Sequence, residues 1–172
     1  VDELRFTLIE VAAVDVLKAT GAFPDFTDDI TLAILEEAAK LANDVLAPLN
    51  KVGDSEHCKL ANGVVTTPTG FKQAYAKFVE GGWQGLQFPT KVGGMGLPRA
   101  LGVATLEMVQ SANMAFGLGP MLTYGAIEAL LVHGTDAQRE AYLPKLLNGE
   151  WSATMNLTEP QAGSDVGALR TK

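Results

Sequence analysis

The chain has 172 residues, 47% of them hydrophobic, with a formal net charge of −7 and a mean hydropathy of +0.13. That is enough chain for one domain with a proper core, burying roughly 70% of the surface its unfolded form exposes, and the composition is that of a globular chain. The acidic balance excludes a nucleic-acid binder that relies on bulk positive charge, and Cys58, the only cysteine, excludes an intrachain disulfide and permits a reducing compartment.

The N-terminus has neither a basic n-region nor an apolar h-region, so no secretory signal is visible. Because it starts at Val1 and not at a methionine, an upstream piece is expected. No run approaches the ~20 uninterrupted apolar residues of a membrane span, and none is expected. A first helix is predicted from Asp2 to Lys18, with Leu4, Phe6, Leu8, Ile9, Ala12, Ala13 and Leu17 on one broad face and Gly21 and Pro24 closing it. The next is the clearest in the chain: Thr27 or Asp28 caps it, Ile30 to Leu46 carry its apolar side, and Pro48 marks its end or a kink. Residues 51–70 read as a polar loop with a short hairpin turning at Asn62-Gly63.

A third helix is predicted from Phe71 to Glu80, stopped by Gly81-Gly82. "GWQGLQFPTKVGGMGLP" is too rich in glycine and proline for a regular element, and Trp83, Leu86 and Phe88 favour an ordered loop packed on the helices. Pro98 suits the first turn of a helix reaching Ala112. A further helix carries Met121 to Val132, with a break expected at Gly117 to Pro120. Thr135 and Gln138 have the spacing of a capping box that opens the last helix, which runs to Asn148 through Pro144. From Trp151 to Thr158 the pattern changes to period two, which predicts a strand.

The expected fold class is therefore mainly α: a bundle of about six helices, followed by the opening strand of something else. A lone strand leaves its ladder groups unpaired. The simplest division is a helical domain over 1–150, with 1–25 as an extra N-terminal helix, and the cut-short start of a β-rich domain over 151–172.

Most polar motifs read as ordinary structure. "GGMG" at 93–96 lacks the preceding strand and the glycine spacing of a dinucleotide loop. His57 and Cys58 have no partner pair at metal-ligand spacing, so no metal site is expected. His133 sits at a helix C-terminus, where a cation is mildly favoured. Glu36, Glu37 and Glu128 read as solvated side chains, and the five methionines as core filling, some of those on the fourth and fifth helices being also suited to line a pocket for a flexible apolar ligand. The terminal stretch "ATMNLTEPQAGSD" differs. Thr158 offers a hydroxyl and an N–H at the strand end, Pro160 stiffens the turn, Gly163 lets a ligand approach the backbone, and Ser164 adds a hydroxyl and an N–H. Converging donors of this kind make a nest for carbonyl or phosphate oxygens. A local Asx- or ST-type turn through Ser164 and Asp165 explains the same residues equally well.

"LTEPQAGSD" resembles the flavin-binding signature of the acyl-CoA dehydrogenase family. "GGWQGLQFPTKVGGMGLP" and "HGTDAQREAYLPKLLNGEW" resemble family segments in the same order and spacing. "DELRFTLIEV" resembles the extra N-terminal helix of the large methylthiopropionyl-CoA dehydrogenase type. The resemblance implies the N-terminal helical domain of an FAD enzyme that removes the α-proton and β-hydride of an acyl-CoA thioester to give the trans-2-enoyl-CoA. It implies cofactor contacts at Met155, Asn156, Leu157, Thr158, Gly163 and Ser164, with Thr158 at the pyrimidine edge of the flavin. The family often has an aromatic residue shortly before the signature threonine, where Met155 and Asn156 stand here. Substrate contacts are implied at Ser164 and, at the expected helix break, at Phe116, Gly117 and Leu118. The catalytic carboxylate would belong to a C-terminal domain, so no residue here is assigned that role, and these residues alone are expected neither to turn over nor to hold FAD tightly. An electron-transfer flavoprotein as acceptor, a homodimeric or homotetrameric parent and a bacterial cytoplasmic or mitochondrial matrix location follow from the same resemblance. An acyl-CoA oxidase or nitroalkane-oxidase-like enzyme, and a non-catalytic helical interaction domain, share the scaffold and are the alternatives.

Overall fold

The structure, a computed structural model, describes residues 1–171. Helix α1 (Asp2–Phe6) passes into a π turn over Thr7–Val11, and the chain then breaks before α2 (Asp15–Ala19). The single helix expected over Asp2–Lys18 is thus two short ones, hinged where Ala13 adopts φ 49°. On a straight helix Leu8 and Val14 would stand roughly 120° apart. The break lets both enter one buried cluster with Phe26, Leu35, Leu86, Leu97 and Leu101.

Helix α3 (Asp28–Lys40) starts as the sequence suggests: the Thr27 hydroxyl accepts the Ile30 N–H at 3.2 Å. It does not stop at Pro48. A π turn (Leu41–Leu46) leads directly into α4 (Ala47–Glu56), so residues 51–56, expected as loop, are helical. Pro48 has no N–H for the carbonyl of Asp44, and widening the preceding turn accommodates that loss. Leu41, Ala42 and Leu46 stay buried. The hairpin forms where Asn62-Gly63 predicts it, with β1 (Lys59–Ala61) antiparallel to β2 (Val64–Thr66) and both turn residues at positive φ. Its base is closed by the Glu56 carboxylate, which accepts the Thr69 N–H at 2.7 Å.

Helix α5 (Phe71–Glu80) leads into the glycine-rich stretch, which is ordered and satisfies its own backbone. The N–H groups of Met95, Gly96 and Leu97 donate to the carbonyls of Gly85, Phe88 and Leu86. Leu86 and Phe88 are buried at its centre. Gly94 passes so close to the Phe88 carbonyl that an added Cβ would lie 2.1 Å from its oxygen, so no other residue fits there.

Helices α6 (Arg99–Ala112), α7 (Met114–His133) and α8 (Asp136–Leu147) complete the bundle. The break expected at Gly117–Pro120 is absent. Helix α7 runs unbroken, Pro120 is buried inside it, and the Gln84 amide reaches its carbonyl at 3.5 Å. What starts α7 is Asn113. Its Oδ1 accepts the Phe116 N–H at 3.0 Å, while its Nδ2 donates to the Leu46 carbonyl at 3.2 Å, knotting α7 to the end of the π turn. The Thr135–Gln138 capping box forms as expected. By length and composition alone, α7 is long and apolar enough to cross a membrane, contrary to the expectation from uninterrupted apolar runs. In the fold it packs against α6 and α8, with Phe116, Gly117, Pro120, Thr123 and Ile127 buried.

The predicted strand is a further correction. Among the described residues, Trp151 to Thr158 pair with no ladder. Their alternation is a strand's, but no partner strand is present to accept it.

Candidate functional site

The segment from Ala153 to Asp165 leaves the bundle at the C-terminal end of α8, and three contacts fix its departure. Gly149 takes φ 74° beside Val79, where a Cβ would meet Cγ2 at 2.3 Å, and its carbonyl accepts the Tyr75 hydroxyl at 3.1 Å. The Trp151 N–H donates to the Lys145 carbonyl at 2.9 Å, and the Lys145 ammonium lies 4.2 Å from the centre of the Trp151 ring. The buried hydroxyl of Thr123, on α7, then accepts the Ala153 N–H at 3.1 Å while donating to the Gly119 carbonyl at 3.2 Å.

Beyond that tether, Met155, Asn156, Leu157 and Thr158 are exposed. None of the N–H groups from Thr154 to Thr158 donates to another of the described residues, and neither does the Thr158 hydroxyl. The chain then folds back. Glu159 and Ala162 exchange N–H···O=C bonds at 3.1 and 3.0 Å, and Ala162 is buried at 1% exposure. Gly163, Ser164 and Asp165 follow with three consecutive N–H groups that have no partner among the described residues. The Asp165 carboxylate accepts the Gly167 N–H at 3.1 Å and caps a short 3₁₀ turn, Val166–Ala168.

The Asx turn expected as the simple reading is therefore present, at Asp165. It leaves the Ser164 hydroxyl and the neighbouring amides free, so the two readings of this stretch are compatible. Gly163 has no positive φ, and a Cβ there would meet nothing within 4 Å. The chain's own packing gives no reason for a glycine at that position. Uncharged donors without carboxylates directed at them suit carbonyl, phosphate or ring-nitrogen acceptors, so the residues present fit a flavin nucleotide.

The second predicted group, Phe116, Gly117 and Leu118, occupies successive positions of one helix and so three different faces. Phe116 is in the core, edge-on to Phe78 at 5.8 Å and tilted against Phe71 and Tyr75 at 6.5 Å. Gly117 is buried against the Gln110 amide. Leu118 is 47% exposed. Met121 and Gly125, three and seven residues on, extend that accessible stripe. A cleft of about 250 Å³ opens beside it, lined by Val103, Leu106, Met121 and Tyr124 together with the charged pair Arg99 and Glu128. Tyr124 is held by a 3.0 Å hydrogen bond to the Trp83 carbonyl, and burial pushes its phenol well above the usual range.

Two residues that sequence reasoning passed over belong to this region. One is Thr123, which joins α7 to the departing segment. The other is Glu159, whose carboxylate collects the hydroxyl and N–H of Thr171, the N–H of Arg170 and the Gln161 amide. Hydrogen bonds from the Thr171 hydroxyl and N–H, then from Arg170, lower its pKa to about 2. Nothing in the sequence signals either role, because the partners lie 30 residues away in one case and 11 to 12 in the other.

Residues 29–150 match the family model described as acyl-CoA dehydrogenase, N-terminal domain. The chain is 46% identical over 170 residues to the 3-methylmercaptopropionyl-CoA dehydrogenase of Ruegeria pomeroyi, covering 99% of this chain and 29% of that protein. It is 36% identical over 175 residues to a butyryl-CoA dehydrogenase of Syntrophomonas wolfei, covering 99% and 28%. The fold superposes on the solved butyryl-CoA dehydrogenase from Megasphaera elsdenii with a TM-score of 0.70 at 23% identity, over 86% of this chain and 36% of that one. The chain thus spans less than a third of the length of these curated relatives. The match of the family model to most of the helical bundle settles the membership: the chain belongs to the acyl-CoA dehydrogenase family.

Proposed function

We propose that this chain is the first, helical domain of an FAD-dependent enzyme that introduces an α,β double bond into an acyl-CoA thioester. The observation that carries the reading is the run of partnerless donors from Thr154 to Thr158 and from Gly163 to Asp165, on a segment tethered to the bundle at Ala153. In this reading Met155, Asn156, Leu157 and Thr158 lie along the flavin ring, with the Thr158 hydroxyl and the amides of Leu157 and Thr158 at its pyrimidine edge. Donors fixed there stabilise negative charge on that edge without having to reorganise. Gly163 and Ser164 hold the diphosphate, and Ser164 lies beside the pantetheine arm of the thioester. Leu118, with Met121, offers apolar surface to the acyl chain, and Phe116 supports the helix from the core side. Bound FAD would supply the two-electron acceptor.

Removal of the α-proton requires a carboxylate near the thioester. Glu36, Glu37 and Glu128 are ordinary helix-surface side chains, with Glu37 paired to Lys40 and Glu128 to Arg99 at 3.6 Å. The base in this reading comes from outside the 172 residues. Electrons would pass on to an electron-transferring flavoprotein. The enzyme would be a homodimer or homotetramer in the bacterial cytoplasm, or in the mitochondrial matrix if the source is eukaryotic.

An anaerobic visible spectrum of the protein that carries this chain tests the reading, recorded with and without a panel of acyl-CoAs. Bleaching of a flavin band by one thioester is the expected result and names the substrate class. A colourless protein that cannot be reconstituted with FAD would overturn it. Reoxidation of the bleached flavin by oxygen at turnover rates would indicate an oxidase on the same scaffold.

A further inference from the structure

We infer that Glu159 is a positioning residue, whose carboxylate closes the loop 159–171 and so holds the Gly163–Ser164 donors in register for the diphosphate of FAD; this rests on the flavin reading above.

The loop begins with the reciprocal Glu159–Ala162 pair and ends where Arg170 and Thr171 return to the same residue. One carboxylate oxygen of Glu159 accepts the Arg170 N–H at 3.0 Å and also the Gln161 amide. The other accepts the Thr171 N–H at 2.8 Å and the Thr171 hydroxyl. Both oxygens are therefore in use, and a single side chain ties the first turn of the loop to its last residues. The interior of the loop is otherwise held only by Asp165, which caps Gly167, and by short turn bonds at Val166, Ala168 and Leu169. None of these reaches back across the loop to residues 159–162. Without the carboxylate, the path of Gly163 and Ser164 rests on the Glu159–Ala162 pair, the buried Ala162 and the local bond from the Val166 N–H to the Ser164 carbonyl, none of which ties the start of the loop to its end. A free loop of this length samples many shapes, and ordering it on binding weakens affinity. A carboxylate that accepts from four donors orders it beforehand, because hydrogen bonds to a charged acceptor are about twice as strong as neutral ones. Glutamine can replace only one of the two acceptor oxygens. It can therefore satisfy the Thr171 donors or the Arg170 donor, but not both sets.

The test uses the isotopically labelled full-length protein that carries this chain, freed of flavin, and its Glu159→Ala and Glu159→Gln variants, with amide NMR spectra recorded alone and during titration with FAD. Without flavin, Glu159→Ala is expected to shift the Arg170 and Thr171 amides and to speed their hydrogen exchange, while the amides of α3 and α7 stay in place. On titration, Gly163 and Ser164 should be the amides that report FAD. Their apparent Kd should rise about tenfold in Glu159→Ala, with Glu159→Gln in between. Arg170 and Thr171 amides that ignore the alanine variant would overturn the loop closure. An unchanged Kd with displaced Arg170 and Thr171 amides would overturn the positioning role and leave Glu159 as a purely local tie. A full-length wild-type protein whose Gly163 and Ser164 amides do not respond to millimolar FAD would overturn the flavin reading and the positioning role together. The flavin-free spectra separate that outcome from a failure of the loop closure itself.

Discussion

Replacing Asn113 with alanine should be the most damaging single change to a polar side chain in this bundle. The residue is 1% exposed and holds two elements at once. Its Oδ1 caps α7 through the Phe116 N–H, and its Nδ2 reaches the Leu46 carbonyl at the end of the π turn. Losing an N-cap costs about 1 kcal/mol. Losing a buried side-chain to backbone hydrogen bond costs about 1 kcal/mol more, and a freed Phe116 N–H or Leu46 carbonyl that finds no water adds up to about 1 kcal/mol. The total is about 2–3 kcal/mol, or roughly 4–12 °C in Tm for a chain of this size. Asn113→Ser restores an N-cap oxygen and should recover about 1 kcal/mol of it, leaving the Leu46 contact unmade. Urea denaturation followed by circular dichroism measures both variants, with the m-value checking that the transition stays two-state. A loss below about 0.5 kcal/mol for Asn113→Ala, which is the scale of an ordinary surface change, would refute the reasoning. So would a serine variant no better than the alanine one.

Other outcomes follow from the same structure. Gly149→Ala meets both a positive φ of 74° and the Val79 methyl at 2.3 Å, so it should lose more than about 1 kcal/mol in a thermal melt and disturb the Trp151 fluorescence. Phe116→Ala should cost about 3–5 kcal/mol while Leu118→Ala stays within about 0.5 kcal/mol, a contrast between neighbours that thermal melts would resolve. The Glu159 carboxylate has a folded-state pKa lowered to about 2 from an ordinary value near 4.5. Its contribution is therefore complete above the ordinary value and is lost as pH falls through about 2. The Thr171 amide shift, followed against pH, should report that low midpoint in the wild-type chain and lose it in Glu159→Gln.

Local chemistry made much of the bundle legible. Thr27, the Thr135–Gln138 box and Asn62-Gly63 each specify backbone geometry within three or four residues of themselves, and each acts in the structure as its spacing implies. The failures involve prolines or partners distant in sequence. Pro48 and Pro120 are helix breakers on local grounds, yet a π turn accommodates one and burial against Gln84 the other, and neither response is visible in the surrounding residues. The positive φ of Ala13 is imposed by the need to bury Leu8 and Val14 together. The period-two pattern from Trp151 predicts a strand that does not form among the described residues, because a local pattern does not supply a neighbouring strand to pair with. At the site, the glycine and serine of the terminal turn stood out because their chemistry is their own. Glu159 and Thr123 did not, because their roles exist only once the chain has folded back on itself.

The hydroxyl of Thr123 has a mechanical consequence. It grips α7 through Gly119 and the departing segment through Ala153 with one oxygen atom. In the functional reading above, the helix that meets the acyl chain and the strip that meets the flavin are thus geared together. Widening or narrowing the acyl cleft by exchanging Met121, which lines it, for a side chain of another size leaves the gear intact. Achieving the same change by sliding or tilting α7 would drag Ala153 with it and detune the flavin edge at Leu157 and Thr158. Variation in chain-length preference on this scaffold should therefore accumulate in side-chain volume along α7, while the axis of the helix stays where it is.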